Sequence, residues 1–470
     1  MRALLAFTGS RGDAQPGILL ARALRERGHD VTLALAPNLV ASAHDHQIPA
    51  VPFGCDTAEL LDAQRADHRF ADRDPRARLR ALFDLQRRGV PEQLEDLRAL
   101  APGHDLVVAG MAGEEAAESV ARALGLPFAA VHFFPIQPND AVPVAPMRWA
   151  VALPGFVHRW GWSALARARA AALAPVLPPK PRPARAGNAS ADADPEVATA
   201  RIQAYDHRLF PGVRRQLPGP FTGFMIDVDG FLSGATGFAG RPPVGHHDEP
   251  EIAQVLTTSD PSSATTPFDT HSPSPTRLRS SASSLEAWLD AGTAPIYVGF
   301  GSMDVGDPAA FVTMVREVCA GRGRRLLLAS GWATIAAGFE DAVAIVGQVD
   351  HARVLPRCVA AVHHGGAGTT AAALRAGVPQ VICSVQADQP YWGQALRRLG
   401  LAATIPAKKL TAERLDALLD QVSRPDVIER AASYAADFAT DGVERAADAV
   451  EALLGSPIAP ELLRSAGRHL

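Results

Sequence analysis

The chain has 470 residues, of which 47% are hydrophobic and 20% are charged, and its formal net charge is −4. This length predicts two domains, and the hydrophobic share is enough for full cores, which excludes wholesale disorder. A slightly acidic chain gives no support for a nucleic-acid partner. We therefore expect the partners to be small molecules or other proteins.

The four cysteines, at positions 55, 319, 358 and 383, lie far apart and lack the spacing of a zinc site. We expect free thiols and a reducing compartment, the cytoplasm. The first apolar run, Ala3–Phe7, is too short for the core of a signal peptide, and no stretch of the sequence reaches the about 18 apolar residues of a membrane span.

The first half of the chain predicts alternating strands and helices. Ala3–Phe7 is a compact apolar strand, and the segment GSRGDAQPG after it predicts a turn. Apolar residues at helical spacing from Ile18 to Leu24 predict a helix that Gly28 ends. Further strands are predicted at Val31–Ala36, Leu106–Ala109 and Phe128–His132. This alternation predicts a parallel sheet that is covered on both faces.

Residues 147–178 differ from the rest of this half, because they concentrate Trp149, Trp160 and Trp162 among arginines and alanines. One interpretation is a pair of helices packed on the domain. The alternatives are the wall of an apolar acceptor pocket and a peripheral contact with a membrane surface.

Residues 234–284 are rich in Ser, Thr, Pro and Gly and contain few large apolar side chains. Such a segment buries too little surface to offset the entropy of ordering it. The composition predicts a flexible linker or inserted loop at the boundary between two domains.

The second half restarts the alternation of strands and helices. Short apolar strands are predicted at Ile296–Val298, Arg325–Leu328, Ala344–Val346, Ala360–Val362 and Val381–Cys383. The fold class is therefore α/β, with two doubly wound domains that face one another. Since ligands of such sheets bind beyond the carboxyl ends of the strands, we expect the site in a cleft between the domains.

The strongest functional signal is the segment VHHGGAGTTAAALRAGVPQ, in which a strand ending at Val362 leads through a glycine run into a helix. Free amides at a helix N-terminus, together with the positive end of the helix dipole, suit an anion. Glycines let the backbone approach it closely. The alternative is a glycine-rich turn that only packs a helix on a sheet. The segment matches neither GxxxxGK[ST] nor GxGxxG.

The segment HHGGAGTTAAALRAGVPQVICSVQADQPYWG resembles the donor-binding signature of the UDP-sugar glycosyltransferases. The likeness is greatest to sterol glucosyltransferases and to actinobacterial enzymes that act on macrolide, glycopeptide or lipid aglycones. GSRGDAQPGILLARALRERGHDV resembles the start of these enzymes, and PIYVGFGSM resembles the first strand of their second domain.

This resemblance covers about residues 1–230 and 291–440 and implies the two-domain GT-B fold. We accordingly expect an acceptor-binding domain at 1–230, a linker or insertion at 231–290, a donor-binding domain at 291–440 and a helical tail at 441–470.

The resemblance also implies individual roles on the donor side. The diphosphate would be held by His364 and by the amides of Gly366, Gly368 and Thr369. Ser302 is expected to contact a phosphate, Trp332 and Val349 to flank the base, and Asp388 and Gln389 to bind hexose hydroxyls. Without the family context, Asp388-Gln389 before a proline also fits a solvated turn. Many relatives bind the donor ribose with a glutamate eight residues after the signature histidine, where this chain has Ala372.

Transfer to a hydroxyl needs a base, and Asp13 follows the first strand, so it is expected to face the cleft. The alternative is that Asp13 is the N-cap of the next helix. Ser10 and Arg11 are further candidates for a phosphate contact, although a solvated arginine fits equally well. His132, Phe133 and Phe134 are expected to line the acceptor side, and a packed histidine at a strand end is the alternative.

Asp227-Val228-Asp229 spells the DxD pattern of another glycosyltransferase fold, but it lies away from the glycine run, and we expect neither a catalytic metal nor a cofactor. The predicted function is inverting transfer of a hexose from a UDP- or dTDP-sugar to a hydroxyl of a sterol, polyketide or lipid. A nicotinamide oxidoreductase is disfavoured because GxGxxG is absent and Pro37 ends the second strand. The remaining alternative is a catalytically weak protein that binds sugar nucleotides.

Overall fold

The computed structural model describes residues 1–72, 74–147, 149–179, 198–233, 281–301, 307–331, 337–347 and 349–455. The assigned positions Ser302 and Trp332 lie outside these ranges, as does most of the predicted linker.

The first half of the chain forms a six-stranded parallel sheet in the order β3-β2-β1-β4-β5-β6. The central strand, β1, carries an unbroken apolar run, as expected for a strand that is covered on both faces. The strands are β1 (Arg2–Phe7), β2 (Asp30–Leu35), β3 (Ala50–Pro52), β4 (Leu106–Gly110), β5 (Phe128–His132) and β6 (Thr199–Gln203).

Helices cover both faces of this sheet and bury two separate apolar clusters against it. They are α1 (Arg11–Glu26), α2 (Val40–Asp45), α3 (Thr57–Ala66), α4 (Pro75–Leu100), α5 (Glu114–Ala123) and α6 (Gly155–Leu173). Helix α1 begins well before the predicted Ile18–Leu24, so most of the segment that predicts a turn is helical. Pro16 lies inside this helix, where its missing N–H removes the one hydrogen bond that would run to the carbonyl of Gly12.

The second half forms a seven-stranded sheet in the order β13-β12-β11-β7-β8-β10-β9, in which only the β9/β10 edge pair is antiparallel. Its six parallel strands repeat the order of the first sheet, which is that of a dinucleotide-type doubly wound fold. The strands are β7 (Ile296–Gly299), β8 (Leu326–Ala329), β9 (Gly338–Phe339), β10 (Val343–Val346), β11 (Ala360–His363), β12 (Gln380–Ser384) and β13 (Ala402–Pro406).

The helices of the second half are α7 (Ser281–Asp290), α8 (Pro308–Gly321), α9 (His351–Val354), α10 (Ala367–Arg375), α11 (Gln389–Arg398), α12 (Ala412–Val422), α13 (Pro425–Ala436) and α14 (Gly442–Gly455). Short 3₁₀ turns occur at Pro37–Leu39, His68–Ala71, Ala150–Ala152, His207–Leu209, Val213–Arg215, Phe231–Ser233, Leu355–Arg357 and Ala407–Lys409. None of the helices in the described ranges combines the length and the apolar character needed to cross a membrane.

Two helices differ from the domain plan that the sequence predicts. Helix α7 falls inside the predicted linker 231–290, yet Trp288 and Leu289 are buried against the second sheet, so this helix belongs to the second domain. The apolar residues that follow the Ser-rich stretch were the feature of the sequence that could have predicted this helix. Helix α14, in the predicted tail 441–470, returns to the first domain and packs on α1, where Arg27 pairs with Asp448 at 2.7 Å. Most of residues 234–284, for which the sequence predicts flexibility, lie outside the residues that the structure describes.

An aromatic cluster joins the two domains. Trp392 of α11 is fully buried, and its ring lies 5.3–5.6 Å from the rings of Phe134, Phe210 and Phe224 of the first half. On the same helix, the hydroxyl of Tyr391 donates a hydrogen bond of 2.8 Å to the carbonyl of Val144. The amino end of α11 is therefore held against the first domain.

Candidate active site

The loop after β11 is shaped by the buried His363. The amide of Gly365 donates to Nδ1 of His363 at 3.1 Å, so Nε2 must carry the proton and donates it to Oε1 of Gln380 at 2.9 Å. Burial lowers the pKa of His363 to about 3, so the ring stays neutral. His363 therefore holds the bend in place, and its neighbour His364 is left to face a ligand.

Helix α10 begins directly after this bend and has no side-chain cap, because its N-cap residue is Gly366. The amides of the first turn, from Ala367 to Thr369, lack the side-chain acceptor that most helix starts provide. Gly368 is exposed, and a Cβ added there would meet nothing within 4 Å. The start of α10 is thus an uncapped, accessible helix N-terminus that suits an anion.

The imidazole of His364 lies over this helix start. A Cβ added to Gly366 would lie 2.5 Å from Nε2 of His364, so only glycine fits beneath the ring. Burial lowers the pKa of His364 to about 4. Its Nδ1 is buried and makes no hydrogen bond within the described residues. A hydrogen bond with the Gly299 backbone partly opposes this lowering of the pKa. His364 is therefore neutral here, and its Nε2 lies at the helix start, where it can meet an incoming polar group.

Two further loops meet at the same edge of the second sheet. Gly331, after β8, has φ +59°, and a Cβ added there would lie 1.9 Å from the carbonyl oxygen of Gly301, which follows β7. The approach therefore requires glycine. Val349, which follows β10, is partly buried at this edge. Ala372 lies in α10 and supplies only a methyl group, so this position offers no carboxylate to a ribose.

Asp388 and Gln389, at the start of α11, have different surroundings. The indole N–H of Trp392 donates to Oδ2 of Asp388 at 2.7 Å, and burial raises the pKa of this carboxyl. The amide oxygen of Gln389 accepts the backbone N–H groups of Val385 and Gln386, and the residue is 5% exposed. Asp388 is partly exposed, whereas the Gln389 oxygen is occupied in holding the loop. The interpretation of this pair as a solvated turn therefore does not fit, because the Gln389 side chain is buried and the Asp388 carboxyl is bonded to the Trp392 indole.

On the first domain, Ser10 and Asp13 form a capping box at the start of α1. The Ser10 hydroxyl accepts the amide of Gly12, and Oδ2 of Asp13 accepts the backbone N–H of Ser10 at 2.8 Å and its hydroxyl at 3.0 Å. The N-cap is therefore Ser10, and the interpretation of Asp13 as the N-cap is wrong. The Ser-x-x-Asp spacing was the signal in the sequence. Gly9 has φ +117°, and a Cβ there would lie 2.5 Å from Oδ2 of Asp13.

Asp13 is partly exposed, and both of these hydrogen bonds go to a single oxygen. Burial raises the pKa of Asp13 to about 6, and the charge of Asp388, from the other domain, adds to this rise. The two carboxylates are therefore close enough across the cleft to repel each other electrostatically. A carboxylate with a pKa just below neutrality is suited to accept a proton.

Arg11 reaches from the first domain to the second. Burial lowers its pKa, and its charge is felt by Tyr297 and lowers the pKa of His351. The Tyr297 hydroxyl and Nε2 of His351 are 2.8 Å apart, between β7 and α9. The expectation of a solvated arginine is wrong, because this guanidinium lies in the cleft beside the second sheet.

The three residues that were expected to line the acceptor side have different positions. His132 is 1% exposed and lies 2.9 Å from a carboxylate oxygen of Glu114, which makes it a packed strand-end histidine and contradicts the lining role. Phe134 is 3% exposed within the aromatic cluster, so it does not line an open pocket either. Phe133 is partly buried against Phe7. Side chains that end a buried strand fill the core when helices cover that end.

The carboxylates of the DxD pattern are occupied. Asp227 accepts the amides of Phe231 and Leu232, and Asp229 pairs with Arg22 at 2.8 Å. Nor do the described ranges contain a group of three or more His, Cys, Asp or Glu residues arranged to hold a metal ion.

The sequence and the fold are similar to those of known glycosyltransferases. Residues 332–447 match the family model "Erythromycin biosynthesis protein CIII-like, C-terminal domain". An uncharacterized glycosyltransferase of Mycobacterium bovis is 33% identical over 93% of this chain and 94% of its own length. Vancomycin aglycone glucosyltransferase of Amycolatopsis orientalis is 28% identical over 95% of this chain and 96% of its own.

Among solved structures, the glycosyltransferase SsfS6 of Streptomyces sp. SF2575, in complex with thymidine diphosphate, has a TM-score of 0.56 and 19% identity. The superposition covers 96% of this chain and 99% of that one. The two facing doubly wound domains thus define a GT-B fold, and the protein is a glycosyltransferase. The chain belongs to the same glycosyltransferase family as the mycobacterial relative, with which it is 33% identical over nearly its whole length.

Proposed function

We propose that this glycosyltransferase moves a hexose from a UDP- or dTDP-sugar to a hydroxyl of a hydrophobic aglycone, with inversion at the anomeric carbon. The observation that carries the proposal is the meeting of three groups in one cleft. The uncapped start of α10 offers a place for the diphosphate, and the start of α11, with Asp388 as an acceptor for sugar hydroxyls, lies beside it. Asp13 interacts electrostatically with Asp388 from the other domain.

In the proposed reaction, the acceptor hydroxyl attacks the anomeric carbon on the face opposite the diphosphate. Asp13 takes the hydroxyl proton as the new carbon–oxygen bond forms. The bond from the anomeric carbon to the phosphate oxygen breaks, and its electron pair leaves with the nucleoside diphosphate. One displacement converts an α-linked donor into a β-glycoside.

Protein groups would balance the charge that develops on the leaving diphosphate. The amides of the first turn of α10 point to that position with the positive end of the helix dipole. His364 lies beside them, and Arg11 brings a permanent charge from the first domain. We propose that these groups act without a metal ion or another cofactor.

The choice of donor and acceptor draws on the relatives. The thymidine diphosphate in the SsfS6 complex supports a dTDP-sugar, and the name of the vancomycin aglycone enzyme supports transfer of glucose to a large aglycone. With Ala372 at the ribose position, we expect the nucleoside to be held through its base and its diphosphate. The resemblance assigns Ser302 to a phosphate contact and Trp332 to the base, and we keep both as proposed donor contacts.

The direct test is incubation of the full chain with UDP-glucose or dTDP-glucose and a panel of hydrophobic alcohols that includes a sterol, a polyketide and a glycopeptide aglycone. Mass spectrometry should show a hexose-mass increase, and NMR should show the β-anomer. Asp13→Asn should abolish product while nucleotide binding persists. An α-linked product would exclude the single displacement. Tight nucleotide binding without transfer to any acceptor would favour a catalytically weak sugar-nucleotide-binding protein.

A further inference from the structure

An exposed aromatic surface lies on the first domain, between β5 and the end of α6. We call it the aromatic patch and define it as Met147, Trp149, Phe156 and Trp160, whose exposed fractions are 47%, 61%, 71% and 68%. In the described ranges, every large aromatic side chain that is exposed to solvent belongs to this patch. A concentration of exposed large apolar side chains marks an interaction surface.

Helix α6 separates this surface from the core. His158, Trp162 and Leu173 face inward and are 3%, 4% and 1% exposed, and the Trp162 indole donates to the carbonyl of Val142 at 2.9 Å. Phe156 and Trp160 are one turn apart on the opposite face, where a surface helix ordinarily carries polar residues. Within the part of the chain that the structure describes, these two rings are therefore left out of the packed core.

The patch is held rigidly. A Cβ added to Gly161 would lie 2.8 Å from Val144, so α6 packs closely on the segment that carries Met147 and Trp149. The Trp149 indole N–H lies 3.1 Å from the sulfur of Met147. The rings are presented to solvent by a packed scaffold.

The sequence that carries the patch is basic. Residues 141–191 contain seven Lys and Arg residues and not one Asp or Glu. Among those that the structure describes, Arg159 pairs with Asp140 and Arg169 pairs with Glu115. Arg167 lies on the outer face of α6, two turns beyond Trp160, and is exposed. Trp and Phe beside arginines are the side chains that enter the headgroup region of a bilayer, and the positive charge favours anionic lipid.

We propose that the aromatic patch docks the protein on an anionic membrane surface. Rings that are more than three-fifths exposed project outward, which suits insertion between headgroups better than lining a small-molecule pocket. The exposed Arg167, in a stretch of sequence without acidic residues, favours lipid phosphate as the partner. None of the four patch residues is assigned to the donor site or to catalysis, so the proposal does not depend on the identity of the donor or acceptor.

The test is sedimentation of the full chain with vesicles of phosphatidylcholine alone or of phosphatidylcholine mixed with phosphatidylglycerol. The wild type should sediment with the mixed vesicles and be released by salt. The triple variant Trp149→Ser, Phe156→Ser, Trp160→Ser should lose at least about tenfold in affinity, and Arg167→Glu should weaken binding to the mixed vesicles only.

The matched control is Leu82→Ser with Leu124→Ser, which removes two exposed apolar side chains elsewhere and should leave vesicle binding unchanged. Melting temperatures verify that every variant is folded. Absence of wild-type sedimentation at low salt, or equal binding by the triple variant, would overturn the proposal. Two other results would also overturn it. One is a wild-type protein that forms a dimer and does not bind vesicles, with the dimer lost in the triple variant. The other is a triple variant whose only change is a raised KM for the acceptor.

Discussion

Asp13 of the first domain and Asp388 of the second lie close enough across the cleft that the charge of Asp388 helps to raise the pKa of Asp13. Burial is the larger cause, and the two hydrogen bonds from Ser10 act in the opposite direction. The reacting atoms of the proposed transfer would lie between these two carboxylates. Four of our predictions follow from this site.

The first prediction concerns pH. Asp13 must be ionised to act as a base, and its pKa of about 6 means that kcat/KM should fall as pH decreases through about 6. Asp388→Asn should move this decrease in kcat/KM to lower pH, because it removes a like charge near Asp13. Ser10→Ala should move it to higher pH, because it removes the hydroxyl that stabilises the carboxylate. Rate–pH profiles of the three proteins measure this, and shifts in the same direction would contradict it.

The second prediction separates catalysis from stability. Asp13→Asn should reduce kcat by at least about 100-fold with little change in nucleotide affinity. Because the folded-state pKa of Asp13 is raised, its ionisation opposes folding. This cost is fully present above about pH 6, decreases as pH falls, and disappears below the ordinary carboxyl pKa of 3.8. The variant should therefore melt at the same or a higher temperature than the wild type at neutral pH. Unchanged turnover would remove Asp13 from the mechanism.

The third prediction concerns Trp392, which positions Asp388. Trp392→Phe keeps a ring in the aromatic cluster but removes the N–H that donates to Asp388. The KM for the donor sugar should rise roughly 3- to 10-fold, because a charged hydrogen bond is lost, while the affinity for UDP or dTDP should not change. Tyr391→Phe is the matched control, since it removes a hydrogen bond to Val144 from the same helix. If both variants behaved alike, the effect would be one of packing.

The fourth prediction concerns the glycine run. Gly366→Ala should displace His364, because the added Cβ would lie 2.5 Å from Nε2, and nucleotide affinity should fall at least about tenfold. Gly321→Ala, at the end of α8, adds a Cβ to open space and serves as the control. Isothermal titration with UDP and dTDP measures both. Full affinity in Gly366→Ala would mean that His364 does not contact the diphosphate.

Much of the fold could be predicted from sequence, because buried parallel strands are continuous apolar runs. Ala3–Phe7 and Phe128–His132 agree with β1 and β5 to within one residue. Short strands such as β3 lack a distinctive run and were missed. The return of α14 to the first domain could not be predicted, since its apolar face is the same whichever domain it covers.

The site was partly visible in the sequence. The glycine run predicts where an uncapped helix begins, because glycine has no side chain that could cap the first-turn amides. Hydrogen-bond partners cannot be predicted from residue type alone. The bond from the Trp392 indole to Asp388 and the amides bound by Gln389 are therefore seen only in the structure. His132 shows the opposite error, since a polar residue at a strand end was expected in the cleft and lies buried beside Glu114.

The central claim is that the start of α10 holds the diphosphate of the donor while Asp13 faces the sugar. A crystal structure of the protein with UDP or dTDP tests it most directly. We predict that phosphate oxygens lie within hydrogen-bond distance of His364 and of the amides between Gly366 and Thr369. A nucleotide bound elsewhere, with this bend empty, would contradict the account.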